Sequence, residues 1–260
     1  MQKDVLLELK SDKILNNLKE GKRADGRKLD EYRKIKIEKD LFHNAEGSAK
    51  VFLGNTEVIA GVKFIPGAPY PDSPAEGTIS VGTELIPLAS PYFESGPPSM
   101  DSIELARVVD RGIRESKAVD FKKLCVKEGE VVLIGFVDIY AINYDGNLFD
   151  ACSIAAISAL NQAKIPKIED GKVVKEEFSG KLKLERKPLL STFAKIGNAL
   201  VLDPDLAEET AMQARFSVAT TEDNFVSAFQ KGISGSLKKD DIDNAIDIAF
   251  KAAKEIRKMI

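Results

Sequence analysis

The chain has 260 residues, 41 acidic and 38 basic, and a formal charge of −3. That balance gives no global basic field, so a protein that coats polyanions over its whole surface is excluded and any nucleic-acid contact must be local. A single His (His43) and two Cys (Cys125 and Cys152) exclude a multi-His metal site, a Cys-rich zinc site and a disulfide framework.

Hydrophobic residues make up 43% of the chain, enough for a sizeable core in one large or two modest domains. No apolar run approaches the ~20 residues that span a membrane. The N-terminus, Met1-Gln2-Lys3-Asp4, carries no signal-peptide pattern. With so few cysteines, the expected compartment is the reducing cytoplasm.

In chain order, Val5, Leu6, Leu9, Ile14, Leu15 and Leu18 recur at helical steps, which predicts a helix over 4–20 with Gly21 as its stop. A charged loop with an Asp25-Gly26 turn follows. Ile35 and Ile37 alternate with Lys. The runs 49–53 and 58–64 read as a hairpin around Gly54-Asn55. Residues 66–98 hold eight of the eleven prolines. Within them the pattern predicts a surface loop at 66–77 and a strand from Ile79 to Leu88.

Asp101 and Glu104 predict a helix start with Asp101 as N-cap, and the helix should run to about Val119. A strand near 131–140 precedes the turn Tyr144-Asp145-Gly146-Asn147. Residues 150–163 are nearly all small or apolar, which predicts a buried helix with Asp150 as its N-cap and Cys152 packed as a small hydrophobe. Residues 166–185 should form an exposed hairpin between two halves. Strands at 199–202, 216–219 and 225–229 and a final helix from Ser236 or Asp240 complete the pattern. Strands followed by a helix, twice over, indicate α+β.

Three arginines of the 101–119 helix, Arg107, Arg111 and Arg114, share one face. They read either as a phosphate clamp or as an ion-paired surface with Glu104, Asp110 and Glu115. Asp138, Asp145 and Asp150 are candidate active-site carboxylates, although a turn and a helix cap explain two of them. His43 reads as a loop or strand residue. No Gly-rich phosphate loop is present.

Several segments occur in an order that resembles the RNase PH family over about residues 20–258. They are Arg23-Ala24-Asp25-Gly26-Arg27; Gly47-Ser48-Ala49-Lys50-Val51-Phe52-Leu53-Gly54-Asn55-Thr56; the helix from Ile103 to Arg114; Asp145-Gly146 before a small-residue helix; and Glu208-Glu209 before a strand. The stretch Ser80-Val81-Gly82-Thr83-Glu84-Leu85 with Ser90-Pro91, the leading helix, and Ala228-Phe229-Gln230-Lys231-Gly232 resemble one branch, the non-catalytic ring subunits of archaeal exosomes.

This resemblance implies an α+β, RNase PH-like fold (ribosomal protein S5 domain 2-like) with mixed sheets and packed helices. It implies an N-terminal helix at 1–22, a core domain at 23–186 and a C-terminal domain at 187–260. It also implies a part in 3′-to-5′ phosphorolysis of RNA. Active members carry a Gly-Thr-Arg phosphate site where this chain has Asn147-Leu148-Phe149, and a catalytic Asp where it has Arg215.

The expectation is therefore a subunit with no catalytic or metal residues of its own. It would pair with a catalytic RNase PH-like subunit, three heterodimers to a ring, beneath a trimer of RNA-binding cap proteins. Arg107, Arg111 and Arg114 would meet the 3′ end of single-stranded RNA, some of them bracing the partner instead. Inorganic phosphate and Mg²⁺ would serve the partner's site. The alternative is a self-sufficient exoribonuclease that assembles as a homohexamer.

Overall fold

A computed structural model describes residues 5–169 and 171–260, with the side chains of 5–10 and of Lys175 outside the description. The first helix, α1 (Val5–Lys19), ends as expected at Gly21, which takes a φ of +72°. Ile14 and Leu18 are buried against Ala194, Ile196 and Val201. Val5, Leu6 and Leu9, the start of the expected stripe, lie among the undescribed side chains.

A six-stranded sheet follows, in the order β1-β2-β3-β6-β4, with β5 also paired to β6. Its strands are β1 (Ile35–Lys39), β2 (Gly47–Leu53), β3 (Thr56–Gly67), β4 (Thr78–Leu85), β5 (Cys125–Lys127) and β6 (Val131–Asn143). The β2–β3 hairpin turns at Gly54 and Asn55, as its sequence predicts, and β4 runs parallel to β6. Between β4 and β5 lies helix α2 (Met100–Glu115).

Its start differs from the sequence reading. Ser99, not Asp101, is the N-cap, and its hydroxyl accepts a hydrogen bond from the Ser102 N–H at 3.2 Å. Asp101 sits in the first turn, where an acid still complements the helix dipole. The helix also ends four residues early. Buried Ser116 donates its hydroxyl to the Ile113 carbonyl, and Lys117 adopts a φ of +54°, which turns the chain out of the helix.

Helix α3 (Leu148–Gln162) has every residue from Leu148 to Leu160 buried. The sequence pattern is explained by its position, since it packs on β2 and β3 on one side and on the second sheet on the other. Cys152 is buried there among apolar neighbours. Hairpin β7 (Lys164–Glu169) and β8 (Lys172–Lys181) follows.

The second sheet is antiparallel, in the order β10-β9-β11-β12. It comprises β9 (Leu189–Ile196), β10 (Ala199–Leu202), β11 (Ala214–Thr220) and β12 (Val226–Gly232). A short helix, α4 (Leu206–Ala211), separates β10 from β11. Helix α5 (Lys239–Arg257) covers β9 and β11. It opens at Lys238, whose N–H is accepted by the Asp241 carboxylate at 3.0 Å. One hydrophobic cluster runs from Val51 and Ile139 through α3 to Leu189, Leu190 and Ile256, so both sheets share a core. Among the described residues, no helix is long and apolar enough to cross a membrane.

Candidate functional site

Helix α2 buries Leu105, Val108, Val109 and Ile113, which leaves Arg107, Arg111 and Arg114 on its open side. The three are not equivalent. Arg114 pairs with Asp110 through Nε and Nη2, each at 3.2 Å, and donates Nη2 to the Ile79 carbonyl at 2.7 Å. Its guanidinium also lies 5.7 Å from the Phe121 ring centre. Arg114 therefore covers the open edge of β4, a structural task. Arg111 makes one hydrogen bond among the described residues, at 3.2 Å to the Gln230 side-chain oxygen on β12. Arg107 is exposed and has no hydrogen bond or ion pair among the described residues. Arg114 is thus ion-paired with Asp110, whereas Arg107 and Arg111 leave their guanidinium groups exposed.

One turn before Arg107, Glu104 faces the second sheet. Its carboxylate accepts from Arg215 Nη2 at 2.5 Å and from Gln230 Nε2 at 3.3 Å. The Arg215 guanidinium lies over the Phe149 ring, 4.1 Å from its centre, a cation–π contact. Gly232 stands opposite Arg215 on β12, and a methyl group there would come within 2.5 Å of Nη2. The glycine makes room for the guanidinium. Arg215 and Phe149, far apart in the chain, thus form one unit that fills the space between α2, α3 and β12.

The N-terminus of α3 is consumed as well. Asp150 is not its cap. Asn147, at a φ of 55°, is the N-cap, and its side-chain oxygen accepts from the Asp150 N–H at 3.3 Å. The Asn147 N–H donates to Glu209 at 2.9 Å, and the other Glu209 oxygen accepts from the Tyr144 hydroxyl. Burial raises the Glu209 pKa against both donors and the nearby Arg215 charge. Two carboxylates of the chain itself, Asp150 and Glu209, already occupy the positive end of this helix. Gly146 permits the packing. It has a φ of +87°, and a methyl group there would lie 2.4 Å from the Asp205 backbone.

These residues fit neither a phosphate ion nor Mg²⁺. Leu148 and Phe149 offer no side-chain donor, the Asn147 groups are taken, and Arg215 presents a positive charge that repels a metal cation.

The carboxylates singled out from the sequence do not converge. Asp138 is exposed on β6, Asp145 sits in the turn near Asn55, and Asp150 is fully buried. His43 lies exposed in a turn. The motif around Arg23 and the Glu208-Glu209 pair prove to be one feature: Arg23 grips Glu208 through Nε at 2.9 Å and Nη2 at 2.6 Å. Sequence reasoning missed this pairing and the Glu104–Arg215 bond, because both link residues more than a hundred positions apart.

Residues 31–166 match domain 1 of the 3′ exoribonuclease family, and residues 188–252 match domain 2. The chain belongs to the 3′ exoribonuclease (RNase PH) family. It is 47% identical to the exosome complex component Rrp42 of Thermococcus gammatolerans, over 99% of this chain and 96% of the relative. It is 47% identical to the Rrp42 of Pyrococcus horikoshii, over 99% and 95%. Among solved structures it resembles a chain of the Archaeoglobus fulgidus exosome with RNA bound to the active site. That match has a TM-score of 0.92 at 44% identity, covering 98% of this chain and 99% of the other. A chain of an archaeal exosome core gives a TM-score of 0.88 at 40% identity, over 99% and 98%. The α+β, RNase PH-like fold expected from the resemblance is the fold of this RNase PH family member.

Proposed function

We propose that this chain is a non-catalytic ring subunit of an archaeal exosome. It pairs with a catalytic RNase PH-like subunit, and three such pairs close the ring beneath a trimer of RNA-binding caps in the cytoplasm. Inorganic phosphate and Mg²⁺ belong to the partner's site. This chain supports that site and guides single-stranded RNA with Arg107 and Arg111, while Arg114 covers the edge of β4.

The observation that carries the reading is Arg215. Where the family resemblance puts a carboxylate, a guanidinium is locked on Phe149 and Glu104. A group that is always protonated accepts no proton and binds no cation. Arg107, with no hydrogen bond or ion pair among the described residues, and Arg111, held only by the Gln230 side chain, support the RNA-guiding part, since exposed guanidinium groups neutralise phosphates without reading sequence.

The test is diphosphate release from single-stranded RNA with phosphate and Mg²⁺. The chain alone should release none. Mixed with the catalytic subunit it should support release, and Arg107→Glu or Arg111→Glu should weaken RNA binding by about tenfold or more at low salt, the loss of one charge-assisted contact. Release by the chain alone would overturn the non-catalytic reading.

A further inference from the structure

A cleft of about 430 Å³ opens where the 68–77 loop, β4, β6 and α2 meet. That volume suits a small-molecule-sized guest. Two of its walls are aromatic: Tyr70 from the loop, 62% exposed, and Phe136 from the outer face of β6. Arg107 stands at the cleft with its guanidinium unengaged among the described residues, and exposed Ser80 adds a hydroxyl. Asp110 and Arg114 also line it, but they neutralise each other. The cleft therefore offers a stacking surface and one uncompensated positive charge. A nucleotide of single-stranded RNA supplies the complement: a flat base and one phosphate charge.

We propose that this cleft is a nucleotide subsite for single-stranded RNA, with a base stacked on Tyr70 and its phosphate held by Arg107. The proposal rests on the RNA-guiding reading of α2 and extends it to a residue with no charge. Arg111, one turn on from Arg107 and about 6 Å along the axis, then takes a neighbouring phosphate. The subsite is blind to sequence, because every base has a face that stacks. An exposed tyrosine in a loop without Lys or Arg is otherwise unexplained by the fold.

The ring assembled from this chain and the catalytic subunit is titrated with a fluorescein-labelled oligouridylate, read by anisotropy. Tyr70→Phe should bind within about twofold of wild type, and Tyr70→Ala about tenfold more weakly, the effect of removing one stacked base. Arg107→Ala should weaken binding and flatten its salt dependence by about one phosphate contact. Unchanged affinity for Tyr70→Ala overturns the subsite. So does a Tyr70→Ala ring that falls apart by size-exclusion chromatography with light scattering, since the cleft would then hold a neighbouring subunit. Arg111→Glu separates the two readings. If it weakens binding while Tyr70→Ala does not, only the subsite fails; if neither changes binding, the RNA-guiding reading fails as well.

Discussion

On the proposed non-catalytic reading, Arg215 stands in place of the family's catalytic carboxylate, and its surroundings show why one substitution would not restore a working site. Its guanidinium has three neighbours that depend on its charge or its flat shape: Glu104, the Phe149 ring and the gap left by Gly232. An aspartate placed there would face Glu104 and approach Glu209, so like charges would meet in a site only partly open to water. Arg215→Asp should lose about 1–3 kcal/mol of stability in urea denaturation, the scale of a broken buried charge-assisted contact. It should also release no diphosphate, because Leu148 and Phe149 still offer a phosphate no side-chain donor. Arg215→Met, which keeps an apolar contact on Phe149, should be the milder change. Measurable phosphorolysis by Arg215→Asp alone would mean that the anion site survives elsewhere in the chain.

At the level of the elements, α3 shows how far a pattern of residues reaches. Its run of small and apolar side chains announced burial, and 148–160 is buried throughout. The strands and the β2–β3 turn were legible for the same reason, since each is set by neighbours a few positions away. The caps were not. Asp101 and Asp150 are good N-cap residues, yet Ser99 and Asn147 hold those positions. Asn147 takes a left-handed backbone conformation because Asp203 and Glu209, far along the chain, bond its side chain and its N–H. The arginine face of α2 was legible as spacing, but only the fold separates pinned Arg114 from open Arg107. Asp150, displaced from the cap, instead collects four donors: the Tyr32 hydroxyl, Asn147 Nδ2, the Thr192 N–H and the Thr192 hydroxyl, at 2.7–2.9 Å. Burial still pushes its pKa up to about 7, against those donors. An unfolded aspartate titrates at about 3.9. Between about pH 4 and 7 the folded chain thus keeps a proton that the unfolded chain has released, and this group's share of stability falls as pH rises through that window. Urea midpoints of wild type should therefore drop more between pH 5 and 8 than those of Asp150→Asn. The variant should be the less stable at pH 5, because its amide turns a donor toward other donors. Parallel pH profiles for the two proteins would place the titration elsewhere.

Across the whole molecule, the N-terminal loop is fastened to the second sheet by charge rather than by apolar packing alone. Arg23 is buried and bonds Glu208 twice, the Leu202 carbonyl at 2.9 Å and the Asp203 carbonyl at 2.8 Å. Asp203, itself buried with a φ of 51°, takes in Arg27, Arg33 and Asn147. Arg33 continues to the carbonyls of Asp145 and Gly146, so one network spans the loop, the turn before α3 and the strand end of β10. Burial would lower the Arg33 pKa, but the Asp203 hydrogen bonds and charge raise it overall, which keeps the network ionised. Such a network is costly to break from one side, because the partner is left charged and dry. Arg23→Met strands Glu208, whose side chain is 3% exposed, and should lose about 3–5 kcal/mol. Arg27 Nη2, buried without a hydrogen-bond partner and 4.0 Å from Glu208, recovers part of that loss by turning toward the freed carboxylate. Pairing Arg23→Met with Glu208→Met removes both charges and should restore most of the stability, since an apolar pair of similar size needs no desolvation. A double-mutant cycle by urea denaturation reads the result. A double variant no more stable than the less stable single would show that the carbonyl contacts of Arg23, and not its bond to Glu208, fasten the two halves.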